Sequence, residues 1–388
     1  MILTVNGGSS SIKCALFDDD DDLSLLARAD VTGLADSTPT LRSQAGDLRA
    51  ESPIAGRGRD AAVSALLRWQ SARTGDRDVS VVVHRIVHGG EIYERPCRVT
   101  PDVLATLDGL VSFAPNHLPD ELALLRGFKT AMPQAAHVAC FDTAFHRTLP
   151  DVARVVPLPG VRRYGFHGLS YTFLISELER IAGQTVSRGR VILAHLGSGA
   201  SLAAVSDGRS IDTTMGMTPA GGLVMSTRSG DIDPGALAHV MREQAWTPDD
   251  MEEAVTKRSG LLAISGRSGD MQELLALERD DEAAALAVGV FCYQTAKGIG
   301  ALTVALGGVD TIVFSGGIGE HAATIRQRIA AALSCLGVAL DDTANARHAP
   351  VISLAESPVT VRVIPTNEAL IMARQARDLL QTTGEHPR

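Results

Sequence analysis

No CxxC pair occurs in this 388-residue chain, and its five cysteines (Cys14, Cys97, Cys140, Cys292 and Cys335) are scattered and odd in number. That pattern excludes a disulfide framework and a thiolate zinc site; reduced, mostly buried thiols of a cytoplasmic protein are expected. No run of about 18 apolar residues suggests a membrane span. The start, MILTVNGG, lacks the basic residues and apolar run of a signal peptide. Positive charge is in deficit: 36 Lys and Arg against 45 Asp and Glu leave −9, which argues against nucleic acid or a membrane surface as partner. An anionic ligand stays open, because it needs only a local cationic pocket. The Walker pattern GxxxxGK followed by Ser or Thr is missing as well, so any phosphate site must be built from other turns.

What is present is an ordinary globular composition, 45% apolar and 21% charged. The length allows two domains with sizeable cores. The stretch 212–235, DTTMGMTPAGGLVMSTRSGDIDPG, organises the reading. Glycines and prolines break it, so neither helical nor strand periodicity survives. Yet Met215, Met217, Leu223, Val224 and Met225 call for burial, and loops of this length in compact domains are usually functional or disordered. Arg228 sits between Thr227 and Ser229, with Asp231 and Asp233 behind it. Its planar fork either grips a phosphate or carboxylate, or pairs with those Asp residues to pin the loop.

Two strand–turn–strand segments look alike. Residues 2–5 lead into Asn6-Gly7-Gly8-Ser9-Ser10-Ser11, then Lys13 and a second apolar run. Residues 190–205 repeat the design, with His195, Leu196, Gly197, Ser198 and Gly199 at the turn. Gly7 aligns with Gly197, Ser11 with Ser201, Ile12 with Leu202 and Ala15 with Val205 at an offset of 190. This reads as a weak internal duplication: two related domains, each with a hairpin whose amides and hydroxyls can surround phosphate oxygens. A nucleotide triphosphate gripped between two such turns is the natural ligand.

A Val-rich strand, 79–83, delivers His84, Arg85, Val87 and His88. Groups this polar at the end of a central strand must be paired or meet a ligand; Arg85 is read as the ligand group, His84 and His88 as structural. Strand 138–141 ends at Asp142, a place for a metal-positioning or basic carboxylate, or for a helix cap. Arg162-Arg163-Tyr164-Gly165-Phe166-His167-Gly168 does not read as packing. Its glycines allow close approach of a ligand, and His167 can donate to a phosphoryl oxygen. Residues 265–271 form a polar turn, and 283–306 a long, apolar, buried helix. Strand 311–314 runs into Gly316-Gly317-Ile318-Gly319-Glu320-His321, a glycine turn of the nucleotide-binding kind ahead of a helix. Glu368, past a last strand, can cap the final helix, 369–380, or bind metal.

NGGSSSIK, HRIVHGGE, FDTAFH, RRYGFHGLSY, HLGSGAS, the loop 212–235, SGGIGEH and TNEALIMA together resemble the acetate kinase family, in order and over nearly the whole chain. The resemblance implies an α/β architecture: two ribonuclease-H-like domains of the actin/Hsp70/sugar kinase type with a nucleotide cleft between them. Residues 1–150, joined by the C-terminal helix 369–388, would form one, and 151–368 the nucleotide-binding and dimerisation domain of a homodimer. It also implies reversible, ATP-dependent phosphorylation of acetate to acetyl phosphate, with Mg2+ (or Mn2+) and ATP/ADP. Asn6, Ser9, Ser11 and Lys13 resemble the family's first phosphate and metal turn. Arg85 and Arg228 resemble its clamp on carboxylate and phosphoryl group, His167 its donor to that group, Asp142 its catalytic carboxylate and Glu368 its metal ligand. His195, Leu196, Gly197, Ser198 and Gly199 would be the second phosphate hairpin. Asp270, Met271 and Gln272, with Gly317, Ile318, Gly319, Glu320 and His321, would line the adenosine pocket. Val87, Phe166 and Pro219 would form the pocket for the acyl methyl group. A carboxylate substrate is already ionised at neutral pH, so Asp142 is expected to act through magnesium and water, not as a base.

The chain departs from the family at Ser198, where Asn is common, at Gln272 for Arg and at His321 for Asn, which leaves nucleotide preference open. Asn116 stands at the usual Leu position and Leu118 at the usual Asn, which leaves the acid open: acetate, propionate or another short acid. A hydrophobic pocket separates acids differing by one methylene only about 10–200-fold. The glycines at 316, 317 and 319 speak for an open purine pocket and against pyrophosphate. A function of another class is an ATP-binding module of the chaperone or actin type with a peptide or polymer partner. That reading leaves Arg85, His167 and Arg228 without a role.

Overall fold

The computed structural model describes residues 1–8, 11–34, 38–75 and 77–382. Ser9 and Ser10, in the first glycine–serine turn, lie outside the described residues. The chain divides into two compact units: Met1–Ala144 together with the chain from Asn367 onward, and Phe145–Thr366.

The first unit is built on eight strands: β1 (Ile2–Gly7), β2 (Ser11–Phe17), β3 (Leu25–Thr32), β4 (Thr40–Ala45), β5 (Leu48–Pro53), β6 (Val81–Ile86), β7 (Cys97–Arg98) and β8 (Ala136–Phe141). Their order is β5-β4-β3-β2-β1-β6-β8-β7. β1 runs antiparallel to β2 and parallel to β6, and β6 is parallel to β8. β1 and β8 are nearly unbroken apolar runs and are buried along their length, as strands covered on both faces must be. β5 is exposed throughout, in keeping with its sequence LRAESP at the sheet edge. The helices Gly58–Thr74 and Leu118–Ala131 supply Leu66, Trp69, Leu124 and Phe128 to a core with Leu3, Val5, Ile12 and Leu16. The C-terminal helix Glu368–Thr382 packs on β1, β6 and β8.

The second unit has five strands: β9 (Val191–Leu196), β10 (Ala200–Ser206), β11 (Arg209–Thr213), β12 (Thr311–Ser315) and β13 (Thr360–Val363), in the order β11-β10-β9-β12-β13. β9 is antiparallel to β10 and parallel to β12, which is parallel to β13. The same order and sense hold for β3-β2-β1-β6-β8, so the duplication is one of topology. The residue-for-residue offset of 190 does not carry through the turn. Val5 pairs with Cys14, whereas His195 pairs with Ser201 and not with Ala204. The two turns differ in length, so the second strands lose the common register.

The helix Glu282–Leu306 lies against β9, β10 and β11. Asp281 caps it by accepting from Ala283 and Ala284 N–H, and Gly307 ends it in the left-handed conformation, φ 68°. At Gly298 a Cβ would stand 2.8 Å from Leu202 Cδ1, so glycine permits the close approach to β10. One expectation is corrected here. The helix is buried along one face only: Leu286, Tyr293 and Val304 are 59%, 64% and 82% exposed.

Candidate functional site

In the first unit, parallel strands carry the polar groups to one edge of the sheet. Arg85 stands opposite Cys140 in the β6–β8 register, and Asp142 follows β8 directly. Arg85 donates to Asp142 Oδ2 from Nη2 at 2.6 Å and from Nε at 3.2 Å, and to Glu121 Oε1 from Nη1 at 3.2 Å. Both carboxylates are buried, at 2% and 3% exposure. Burial works against the charge of Arg85, but Asp142 and Glu121 outweigh it and hold the guanidinium firmly protonated. Glu121 also accepts from the Val87 N–H at 2.8 Å, so one side chain braces both Arg85 and the start of the Val87 loop. Asn6, at the end of β1, donates to Glu368 Oε2 at 2.9 Å, and Lys13 lies opposite Asn6 on β2. Burial and the nearby Asp142 push the Glu368 carboxyl up, against Arg85, Lys13 and the Asn6 hydrogen bond. Asn6, Lys13, Arg85, Asp142 and Glu368 thus form one cluster. Ser11, beside this cluster on β2, accepts at its carbonyl from Gly8 N–H at 2.7 Å. His84 is hydrogen-bonded to His137 at 3.0 Å, and burial holds both rings below their ordinary range.

Among the described residues no group of three or more His, Cys, Asp and Glu side chains is placed to hold a metal unaided. Asn6, Asp142 and Glu368 nevertheless fit a hard cation that binds through one or two carboxylates and the phosphates of its substrate. All are oxygen donors, and a cation beside Glu368 would offset the burial and the Asp142 charge that push its carboxyl up.

In the second unit, the turn before the helix Gly168–Ala182 sets the imidazole. Gly165 has φ 74°, and a side chain there would strike the His146 ring. His167 is itself left-handed, at φ 59° and ψ 23°, a backbone that costs a histidine about 1–2 kcal/mol. Its Nδ1 is hydrogen-bonded to Ser201 Oγ at 2.8 Å, and its ring packs on His195 with centroids 4.4 Å apart. His195 Nδ1 meets Ser170 Oγ at 2.8 Å, which meets Thr366 Oγ1 at 2.9 Å. Arg228 donates to the Pro219 carbonyl at 3.1 Å and lies 3.8 Å from Met225 Sδ. A Cβ on Gly199 would stand 3.2 Å from His167 Nε2 and 3.5 Å from Arg228 Nη1. Two cationic or polar nitrogens therefore converge over a residue with no side chain.

The loop 212–235 is tied down by further groups beside Arg228. Asp231 accepts from Gly222 N–H at 2.7 Å, and Asp233 caps the helix Pro234–Glu243. Ser226 N–H donates to the Ser198 carbonyl at 3.2 Å, joining the loop to the β9–β10 turn of Leu196, Gly197, Ser198 and Gly199. Phe166 and Pro219 are buried. Asp270 caps the helix Met271–Leu277, accepting from Gln272 and Glu273 N–H. No hydrogen bond joins Asp270, Met271 or Gln272 to Gly317, Ile318, Gly319, Glu320 or His321 among the described residues; Gln272 and His321 are exposed.

Two sequence expectations change. The glycines of SGGIGEH are not a turn ahead of a helix: they are the helix, Gly316–His321, and its first N–H, from Gly316, is taken by Glu320 Oε1 at 2.9 Å. Its carbonyls at Gly319 and Glu320 are held by the fully buried Arg326. And Arg163 does serve packing: Nη1 donates to the carbonyls of Thr213, Thr214 and Met215, fixing the entry to the loop.

A model of the acetokinase family matches residues 1–374. The chain belongs to the acetokinase family. An acetate kinase from Rhodopseudomonas palustris (strain TIE-1) is 41% identical to it over 388 residues, 96% of this chain and 97% of that one. Among solved structures, the acetate kinase of Porphyromonas gingivalis is 34% identical with a TM-score of 0.87, covering 98% and 99% of the two chains. A propionate kinase from Francisella tularensis subsp. tularensis SCHU S4 is 33% identical with a TM-score of 0.91, covering 96% and 98%. In this acetokinase, sequence reasoning passed over Glu121 and Tyr171, and named Ser201 only as the counterpart of Ser11. Glu121 left a signal: it is an acid inside the apolar stripe Leu118, Leu122 and Leu125 of a helix.

Proposed function

We propose that this acetokinase transfers the γ-phosphoryl group of ATP to the carboxylate of acetate, giving acetyl phosphate and ADP, and runs in reverse. The observation that carries the reading is the convergence of His167 Nε2 and Arg228 Nη1 over Gly199. Phosphoryl transfer spreads charge over three equatorial oxygens, and needs positioned donors more than covalent help. His167 and Arg228 are assigned to those oxygens. Arg85 is assigned to the substrate carboxylate, and Val87, Phe166 and Pro219 to its methyl group. Ser11, Lys13 and residues 195–199 are assigned to the ATP phosphates; residues 270–272 and 317–321 are assigned to the adenosine. Asn6 and Glu368 would hold Mg2+ (or Mn2+), which supplies charge neutralisation at the β- and γ-phosphates when bound. Asp142, whose carboxylate is engaged by two Arg85 nitrogens, is assigned to orientation and charge, not to proton removal. The exposed stripe Leu286, Tyr293 and Val304 supports a homodimer through the helix Glu282–Leu306, and a cytoplasmic location is part of the reading.

A propionate preference is the second reading, since one structural relative is a propionate kinase. Leu118, at the family's usual Asn position, is fully buried at the start of the helix that carries Glu121. Trapping acyl phosphate with hydroxylamine, with ATP, magnesium and acetate, propionate or butyrate, separates the cases. Acetate is expected to give the highest kcat/KM, and Arg228→Ala to lose about 10²–10³-fold in kcat. A higher value for propionate would transfer the substrate assignment. Absence of any acyl phosphate, with ATP still bound, would return the chain to the ATP-binding-module class.

A further inference from the structure

We propose that Tyr171 and Ser201 form a hydroxyl relay that fixes the tautomer of His167, so that Nε2 carries the proton and donates. The relay rests on the role assigned to His167 above. Tyr171 lies one helical turn after His167, and Ser201 sits on β10; both are fully buried. The Tyr171 hydroxyl is hydrogen-bonded to Ser201 Oγ, and Ser201 Oγ to His167 Nδ1 at 2.8 Å. The direction of the chain follows from the groups. A phenol delocalises its lone pairs into the ring, so it donates more strongly and accepts more weakly than an aliphatic hydroxyl. Tyr171 therefore donates to Ser201. Ser201 then turns its own hydrogen to the best acceptor in reach, the basic imidazole nitrogen Nδ1. Each bond polarises the next. Nδ1 is thereby the lone-pair nitrogen, and Nε2, the atom over Gly199, is the N–H.

The phenol is rigidly placed. Its ring packs against both Phe145 and His146, with centroids 5.7 Å from each, at 43° and 80°. His146 is itself fixed, with Nδ1 hydrogen-bonded to Ser210 Oγ at 2.8 Å and Nε2 to the Phe166 carbonyl at 3.0 Å. The reverse chain, with Nδ1–H donating to Ser201, would present a lone pair at Nε2 to phosphoryl oxygens and repel them. A neutral Nε2–H beside the Arg228 guanidinium adds a donor without adding a second like charge. The neighbouring imidazole repeats the device, His195 Nδ1 meeting Ser170 and Ser170 meeting Thr366.

The test uses the full-length protein labelled with 15N-histidine, as wild type, Tyr171→Phe, Ser201→Ala and His167→Ala. Wild type is expected to show a neutral His167 with a pyrrole-type Nε2 and a pyridine-type Nδ1. Tyr171→Phe, which removes one oxygen, is expected to mix the tautomers and lower kcat about 10–100-fold, as loss of an outer orienting partner does, with both KM values nearly unchanged. Ser201→Ala is expected to do at least as much. A wild-type tautomer and wild-type kcat in Tyr171→Phe, with His167→Ala impaired, would overturn the relay and leave the role of His167 standing. His167→Ala at the wild-type rate would overturn that role instead, and the relay would then be judged on the tautomer alone. If Ser201→Ala fails to fold, Tyr171→Phe decides.

Discussion

Arg85 and Arg228, the two guanidiniums assigned to the reaction, are held in opposite ways. Arg85 is locked by carboxylates, with three hydrogen bonds to Asp142 and Glu121. Arg228 donates to a neutral carbonyl, that of Pro219, and lies against a thioether. Around them the two units differ in the same sense. The first gathers Asp142, Glu121, Glu368, Arg85 and Lys13, so its groups are set by charge balance. In the second, serine, threonine and tyrosine hydroxyls orient two imidazoles, so its groups are set by hydrogen-bond direction. A charge-balanced cluster couples catalysis to stability; a hydroxyl-oriented one need not.

Arg85→Ala should show that coupling at its largest. It strands two buried carboxylates, and breaking a buried pair from one side costs about 3–5 kcal/mol. A fall of that size in denaturant unfolding, together with lost activity, is expected. Arg228→Ala should lose activity, by the factor given above, with an unfolding midpoint within about 0.5 kcal/mol of wild type. Equal destabilisation by both substitutions would break the comparison, because the anchorage of Arg228 would then matter to the fold as much as two carboxylates do.

Asp142→Asn comes next in size. The Asn oxygen still accepts from Arg85, while the negative charge near Glu368 is removed. Activity is expected to fall about 10–100-fold, the magnesium requirement to rise, and the pH–rate profile to keep its shape. A profile that loses its acidic limb with magnesium dependence unchanged would make Asp142 a base after all.

How much of this was legible depended on whether a group stands at a break in the apolar pattern. Arg85, Asp142, His167 and Arg228 announced themselves because each sits at a strand end or in a glycine-rich turn, where the sequence alone marks a break in apolar patterning. The repeated sheet was legible from two glycine–serine hairpins, but its register was not, because turn length shifts every pair beyond it. Glu121 and Tyr171 were missed, and the role of Ser201 with them, for a different reason. Each occupies a core position of a regular element, and its partner is 30–36 residues away. The final glycine motif was misread in its local form only: GGIGEH reads as a turn, whereas it is itself a short helix whose first N–H is taken by Glu320.

Glu121→Gln gives the finest test, because it changes charge and leaves shape. Burial pushes the Glu121 carboxyl up from its ordinary 4.5 to about 7, with Arg85 and the Val87 N–H pulling the other way and Asp142 adding to the rise. Between those two values the folded protein binds the proton and the unfolded chain does not. The group's contribution to stability is therefore complete below about pH 4.5 and is lost as pH climbs toward about 7, a change on the order of 3 kcal/mol. Glutamine is neutral throughout, and its oxygen can still accept from Val87. The difference in unfolding free energy between wild type and Glu121→Gln should thus move in favour of the variant from pH 5 to pH 8, read by urea titration at each pH. A difference that stays flat over that range would mean that Arg85 holds the Glu121 carboxyl ionised throughout it, against its burial.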